Sequence, residues 1–249
     1  MLALGKSGRT LVADQAALVV SAHSADFVWR AGGAIALYAK RGWRVKIVCL
    51  AYGERGESAK LWHEKGMTLA RVKQTRREES EKAAEILGGE VEFLDGGDYP
   101  LRPSDAMLYR LVDLYRELKP EFVLTHSLKD PYNFDHPEAT RLAQEARIIA
   151  QAHGHKPEQR VIGAPPVFLF EPHQPEQCNW KPQVILNITE VWDLKRRAFE
   201  TMVAQEHLWE YYTRVALQRG MQGARNSSKK MVYGEAYQRI FPMVTEELI

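Results

Sequence analysis

A chain of 249 residues with 45% hydrophobic and 10% aromatic residues can bury a sizeable core, and its charged fraction of 27% is ordinary, which excludes a disordered or fibrous protein. A formal net charge of +2, with 34 basic residues interspersed among 32 acidic ones, argues against a nucleic-acid partner. Two cysteines, Cys49 and Cys178, make no disulfide framework, and Cys49 lies in an apolar run that suits a buried thiol.

The opening residues MLALGKSGRT carry charges with no uninterrupted apolar stretch behind them, and AALVVSA (16–22) is too short to span a bilayer. Neither a signal peptide nor a membrane segment is expected, and the cytoplasm is the expected location. AALVVSA reads as a buried strand and FVWRAGGAIALYAKRG (27–42) as the helix after it. RVKIVCLA (44–51) is a second strand, rich in β-branched residues and bounded by Gly42 and Gly53. Residues 67–87 form a long amphipathic helix closed by Gly88-Gly89. VEFL (91–94) and FVLT (122–125) are further strands, separated by a helix near 104–118 that ends before Pro120. A helix from about Pro137 to Ala152 places proline in its favoured first turn. PVFLFE (166–171) and QVILNI (183–188) are later strands, and 190–218 is mostly helical.

Strands alternating with helices imply a three-layer, doubly wound α/β fold with a mostly parallel sheet. One domain over residues 1–249 is expected, with a core at about 16–190 and a C-terminal helical extension at about 191–249. Sites in such sheets collect at the C-terminal ends of strands, which directs attention to the segments after residues 22, 51, 95, 125 and 171.

Polar clusters follow three of these strands: S-A-H-S-A-D with His23 and Asp26, G-E-R-G-E (53–57), and H-S-L-K-D-P-Y-N-F-D-H-P (126–137). An imidazole and a carboxylate on one tight turn, joined by a distant histidine, make a nitrogen-and-oxygen ligand set that suits zinc and leaves a coordination position open. The plainer alternative is that His23 and Asp26 only cap the helix starting at Phe27.

With A-H-S-A-D (22–26) and N-F-D-H (133–136), the chain resembles the LmbE/PIG-L metal-dependent deacetylases, whose motifs are A-H-P-D-D and H-x-D-H. Gly32-Gly33, the G-E-R-G turn and the R-R-E-E…A-A-E-I-L-G helix (76–88) also fit, so the resemblance covers roughly residues 16–190. It implies a zinc ion, one per chain, held by His23, Asp26 and His136. His and carboxylate ligands also tolerate iron or manganese.

The departures from the family pattern bear on the reaction. Ala25 stands where the deacetylases carry the aspartate that activates water, and Asn133 replaces the first histidine of the second motif. A side chain that cannot accept a proton forfeits the factor of about 10²–10⁴ a general base supplies. A narrower resemblance accommodates the change: AHSADFVWRAGGAIALYAKRG, VCLAYGERGESAKLW, FLFEPHQPEQCNW and GARNSSKKMVYGEAYQRIFP are similar to the 4-oxalomesaconate hydratases of bacterial gallate breakdown. That family implies a hydro-lyase adding water to a conjugated double bond of an oxo-tricarboxylate.

Hydration needs a base for the water and an acid for the neighbouring carbon. Glu54 and Glu57 follow the second strand, and Glu171 and His173 follow a later one. One of the two glutamates, Glu54 or Glu57, is assigned as base with His173 as its complement, although either could instead pair with Arg55, Arg76 or Arg77. Candidate cations for the substrate carboxylates are Arg55, Arg76, Lys129, Arg225, Lys229 and Lys230, with Arg225 preferred among the last three, each with a solvated-surface alternative. Asp135, beside His136, is expected to orient that ligand. An N-deacetylase on an amino-sugar-like substrate and a metal-keeping binding module are the rival readings. The aromatic-rich helical stretch at 208–218 offers a surface for a homo-oligomer contact.

Overall fold

The computed structural model describes residues 15–245. The expectation concerning the N-terminal residues MLALGKSGRT lies outside the described residues.

Seven strands form one sheet in the order β3-β2-β1-β4-β5-β7-β6. In chain order these are β1 (Ala16–Ser21), β2 (Arg44–Cys49), β3 (Glu90–Phe93), β4 (Phe122–Thr125), β5 (Val167–Phe170), β6 (Val184–Asn187) and β7 (Gly234–Arg239). The helices are α1 (Asp26–Lys40), α2 (Ala59–Trp62), α3 (Leu69–Leu87), α4 (Asp105–Leu118), α5 (Asp135–Ala150), α6 (Trp192–Thr201) and α7 (Trp209–Arg225). β1 pairs in parallel with β2 and β4, and the parallel run continues to β3 on one side and β5 on the other. Fold class and element order match the α/β expectation.

The apolar run of β1 is explained by burial on both faces. Ala17 and Val19 point into a core shared with α1, α3 and α6, while Ala16, Leu18 and Val20 point into one shared with α4 and α5. A strand buried this way needs no polar alternation. Gly88, left-handed at φ 79°, terminates α3 as its sequence suggested.

The C-terminal segment departs from the helical expectation. It returns as β7, antiparallel to both β5 and β6. Glu235 of β7 anchors the strand: its buried carboxylate accepts from Gly33 N (2.6 Å), Ala34 N (2.8 Å), Lys195 Nζ (2.5 Å) and the Tyr237 hydroxyl (2.7 Å). A short strand with a buried charged residue near its start has no apolar period to betray it. Among the described residues, no helix is long and apolar enough to cross a membrane.

The chain runs from β1 to β2 and β3 on one side, then crosses to β4 on the other side of β1. That reversal opens a crevice beyond the carboxyl ends of β1 and β4. His23 follows the first of these strands and His126 the second.

Candidate metal centre

The β1–α1 turn is set by its own side chains. Ser21 Oγ donates to the His23 carbonyl (2.8 Å), and the Asp26 carboxylate accepts from His23 N (3.0 Å). Asp26 is the first residue of α1 and reaches backwards, while Ala25, at the N-cap position, makes no side-chain cap bond. The turn therefore does not match a plain helix cap, and it directs one Asp26 oxygen at each neighbouring histidine.

His23, Asp26, Glu57 and His136 converge, each offering one ligand atom within 4.8 Å of the others. His23 Nε2 lies 3.1 Å from Asp135 Oδ2, and His136 Nδ1 lies 2.8 Å from Asp130 Oδ2. An ionised carboxylate only accepts, so these nitrogens carry the hydrogens and the opposite nitrogens keep their lone pairs. Those opposite atoms, His23 Nδ1 and His136 Nε2, are buried without a hydrogen-bond partner. They face carboxylates instead: His23 Nδ1 is 3.2 Å from Asp26 Oδ2 and 3.1 Å from Glu57 Oε1, and His136 Nε2 is 3.5 Å from Asp26 Oδ1. Orphaned imidazole lone pairs beside carboxylate oxygens, with carboxylates behind each ring, are the donor set of a divalent cation site.

The electrostatics carry the same signature. Burial works against a charged His23, yet Glu57, Asp135 and Asp26 raise its pKa well above the usual histidine range, so that without a cation a proton takes the place on Nδ1 that a metal would fill. Burial also opposes ionisation of Asp26, which His136 above all, with a hydrogen bond from His23, overcomes to hold it well below the usual carboxylate range. Asp130 and Asp135 are likewise lowered, against burial, by their histidines. Clustered carboxylates gather positive charge, and a cation supplies it more directly than a proton.

Three other residues complete the surroundings. His126 stacks on His136 with ring centroids 4.2 Å apart, and its Nε2 accepts from Ala22 N (2.9 Å). That lone pair is used by the backbone, and burial with the neighbouring His136 pushes the His126 pKa well down, leaving a neutral wall of the site. Asp98 accepts from Arg55 N (3.0 Å) and Gly56 N (2.8 Å), fixing the turn that carries Glu57. The Tyr99 ring covers this turn, 6.0 Å from the His23 ring centroid, and a Cβ on Gly56 would come within 2.1 Å of it. Gly56 is therefore glycine for space, not for backbone freedom.

The structure separates the remaining candidates. Glu57 joins the cluster, but Glu54 turns the other way: it is buried, Oε2 accepts from Tyr52 N (3.2 Å), and Oε1 faces Lys73 and Arg55 at 3.7 and 3.8 Å. Arg76, expected to bind substrate, is instead wholly buried and spent on Ser24 Oγ (3.1 Å), Glu79 (2.5 Å) and Gln205 (3.0 Å), tying α3 to the segment before α7. Arg55 donates to the Asp98 carbonyl (2.9 Å). Arg225 closes α7, and Lys229 lines a shallow cleft with Ile185, Asn187 and Gln222 beside the edge strand β6, with no contact to the histidines. Basic sequence there marks a solvated loop. Asp135, expected behind His136, stands behind His23, and Asp130 takes the place behind His136. Adjacency in sequence misled here because Asp135 and His136 share a helix turn and point apart. His173 is half-buried and stacked on Tyr211 at 4.1 Å, with its pKa pushed down by burial and then by Arg30.

Comparison with known proteins follows this geometry. A family model described as PIG-L, GlcNAc-PI de-N-acetylase, matches residues 18–147, from inside β1 through most of α5. The chain belongs to the PIG-L family. Within it, the chain is 64% identical, over 94% of its length and 93% of the relative's, to a Pseudomonas putida KT2440 protein named 4-oxalmesaconate hydratase. Its fold superposes with a TM-score of 0.92 on the crystal structure of GalB, the 4-carboxy-2-hydroxymuconate hydratase of the same organism, at 64% identity, covering 94% of this chain and all of that one. The N,N'-diacetylchitobiose deacetylase of Pyrococcus horikoshii shares the PIG-L fold at a TM-score of 0.75 and 22% identity, covering 91% of this chain and 84% of that one.

Proposed function

We propose that this protein is a metal-dependent hydratase adding water to the conjugated double bond of 4-oxalomesaconate, in cytoplasmic aromatic-acid breakdown of the gallate type, and that it works as a single domain. The observation that carries the reading is the 64% identity, across 94% of the chain, to a protein named for that reaction. Ala25 agrees with it. It is wholly buried in the core, so nothing at that position takes the proton a deacetylase would hand over.

The cluster fits zinc, one ion per chain, with His23, Asp26 and His136 as its ligands, and Asp135 and Asp130 keep the two rings aimed. When bound, the metal polarises substrate carbonyl oxygens and makes nearby water more acidic. Glu57, whose side chain is 13% exposed, takes the proton from the attacking water. Glu54 is excluded from that role by its direction. His173 returns a proton to the carbon beside the new C–O bond. Its ring is held by the Tyr211 stack, and the Tyr211 hydroxyl donates to the His173 carbonyl (2.6 Å).

The test follows the absorbance of 4-oxalomesaconate, whose conjugation is lost on hydration, with metal-loaded and metal-stripped protein. Turnover of roughly 1 s⁻¹ or more, lost on stripping and restored by zinc, is the expected result. No change with metal-loaded protein sinks the hydratase reading, and release of acetate from an N-acetyl amino sugar would replace it with a deacetylase.

A further inference from the structure

An acidic substrate needs a fixed cation close to the reacting atoms, and four of the sequence candidates are engaged or placed elsewhere. Arg76 is consumed within the core, Arg55 is tied to the 98 carbonyl, and Arg225 and Lys229 lie beside β6. The cluster itself brings Asp26, Glu57, Asp130 and Asp135 together, which repels a free carboxylate before any metal is counted.

Arg30, one turn along α1 from Asp26, is the cation the structure places there. Its Nε lies 3.3 Å from Asp26 Oδ1, and its Nη1 donates to the Glu171 carbonyl (3.0 Å). The guanidinium therefore bridges a metal ligand and the segment leading to His173. An arginine side chain keeps its charge even when buried. The residue is 8% exposed, and among the described residues its Nη2 has no hydrogen-bond partner. A buried guanidinium held by one hydrogen bond and an ion pair, with its other terminal nitrogen unspent, is preorganised for an anion, because much of its side-chain entropy is already lost.

We propose that Arg30 is a substrate-binding residue that receives a carboxylate of the substrate through Nη2, between the metal cluster and His173. The identity of the acid rests on the hydratase reading, but the recognition of a carboxylate does not. One carboxylate docked on Arg30 lies between Glu57 and His173, the groups assigned to the two proton transfers. Arg30 thus sets which end of the molecule meets which group.

The experiment compares direct binding of fumarate and crotonate, which differ by a carboxylate in place of a methyl, to metal-loaded protein, by calorimetry or ligand-observed NMR. The wild-type protein is expected to favour fumarate by about tenfold or more, as a charge-assisted hydrogen bond does. In R30Q the preference falls to near parity, and in R30K, which keeps the charge and loses the fork, it falls part-way. Metal content is measured alongside, but the ratio of the two acids is insensitive to a lowered metal-loaded fraction, which weakens both alike. If R30Q does not fold, R30K alone decides. A wild-type protein without preference, or variants that lose both acids equally or keep the full ratio, overturn the proposal. Because binding and not turnover is read, inactivity on 4-oxalomesaconate would remove the hydratase reading and leave this result to stand or fall separately.

Discussion

Removal of the Asp130 carboxylate tests the metal centre at its least obvious point. Asp130 is 5% exposed, and its Oδ2 holds His136 Nδ1 at 2.8 Å, while its Oδ1 accepts from Tyr132 N (3.0 Å). In Asp130→Ala the imidazole loses the acceptor that fixes its tautomer, and the hydrogen can move to Nε2, the atom that faces Asp26. A lost carboxylate partner behind a histidine ligand costs about 10–100-fold in metal affinity, or about 1.4–2.7 kcal/mol. The upper half of that range is expected, since the contact is short, charged and buried. Asp130→Asn separates this from loss of the turn: its amide oxygen still accepts, without charge, so affinity should fall by less than in the alanine variant. The assay is competition for zinc with a chromophoric chelator at fixed pH, with Glu138→Ala, a partly exposed carboxylate on α5, the helix of His136, as control. An Asp130→Ala affinity within threefold or so of that control would refute the assignment of His136 as a ligand held by Asp130.

Further outcomes follow from particular contacts. Glu57→Gln should lower kcat by about 10²–10⁴-fold while Glu54→Gln lowers it far less, because only Glu57 faces the cluster; steady-state kinetics on the two variants would expose a reversed order. Gly56→Ala forces the Tyr99 ring, within 2.1 Å of the new methyl, off the turn. Thermal stability should change little, since Tyr99 is 47% exposed and can move, while activity drops by about tenfold or more through misplacement of Glu57. Glu235→Ala strands Lys195, itself 2% exposed, and breaking such a pair costs about 3–5 kcal/mol. Calorimetry should show a Tm lower by about 6–20 °C, and Glu235→Met combined with Lys195→Met should recover only the part due to the stranded Lys195, since Gly33 N, Ala34 N and the Tyr237 hydroxyl still lose their acceptor.

Much of this protein was legible in its residues alone. The period of the apolar runs predicted the elements, and their alternation predicted a parallel sheet, because a chain crossing over by a helix returns in the same direction. The strand-end rule brought His23 and Asp26 to the rim, and three residues of spacing suffice to place both on one turn. What lay beyond reach depended on direction, not on composition. Glu54 and Glu57 are chemically alike, and only the turn held by Asp98 sends one into the cluster and the other behind it. Arg76 looks like any surface cation of an amphipathic helix until Glu79 and Gln205 close over it. Asp135 holds His23 and not the adjacent His136, since a helix turn carries neighbouring side chains about 100° apart, and Asp130, from the loop before α5, stands behind His136. Arg30 sits in the interior of an apolar helix, where nothing in the local sequence distinguishes a bound cation from a misplaced one, and β7 carries a buried glutamate whose partners are some 200 residues away. Local sequence determines which groups occupy a turn or a helix, because those interactions span only a few residues; which of them meet is decided by long-range packing, and in this protein that packing chose the site.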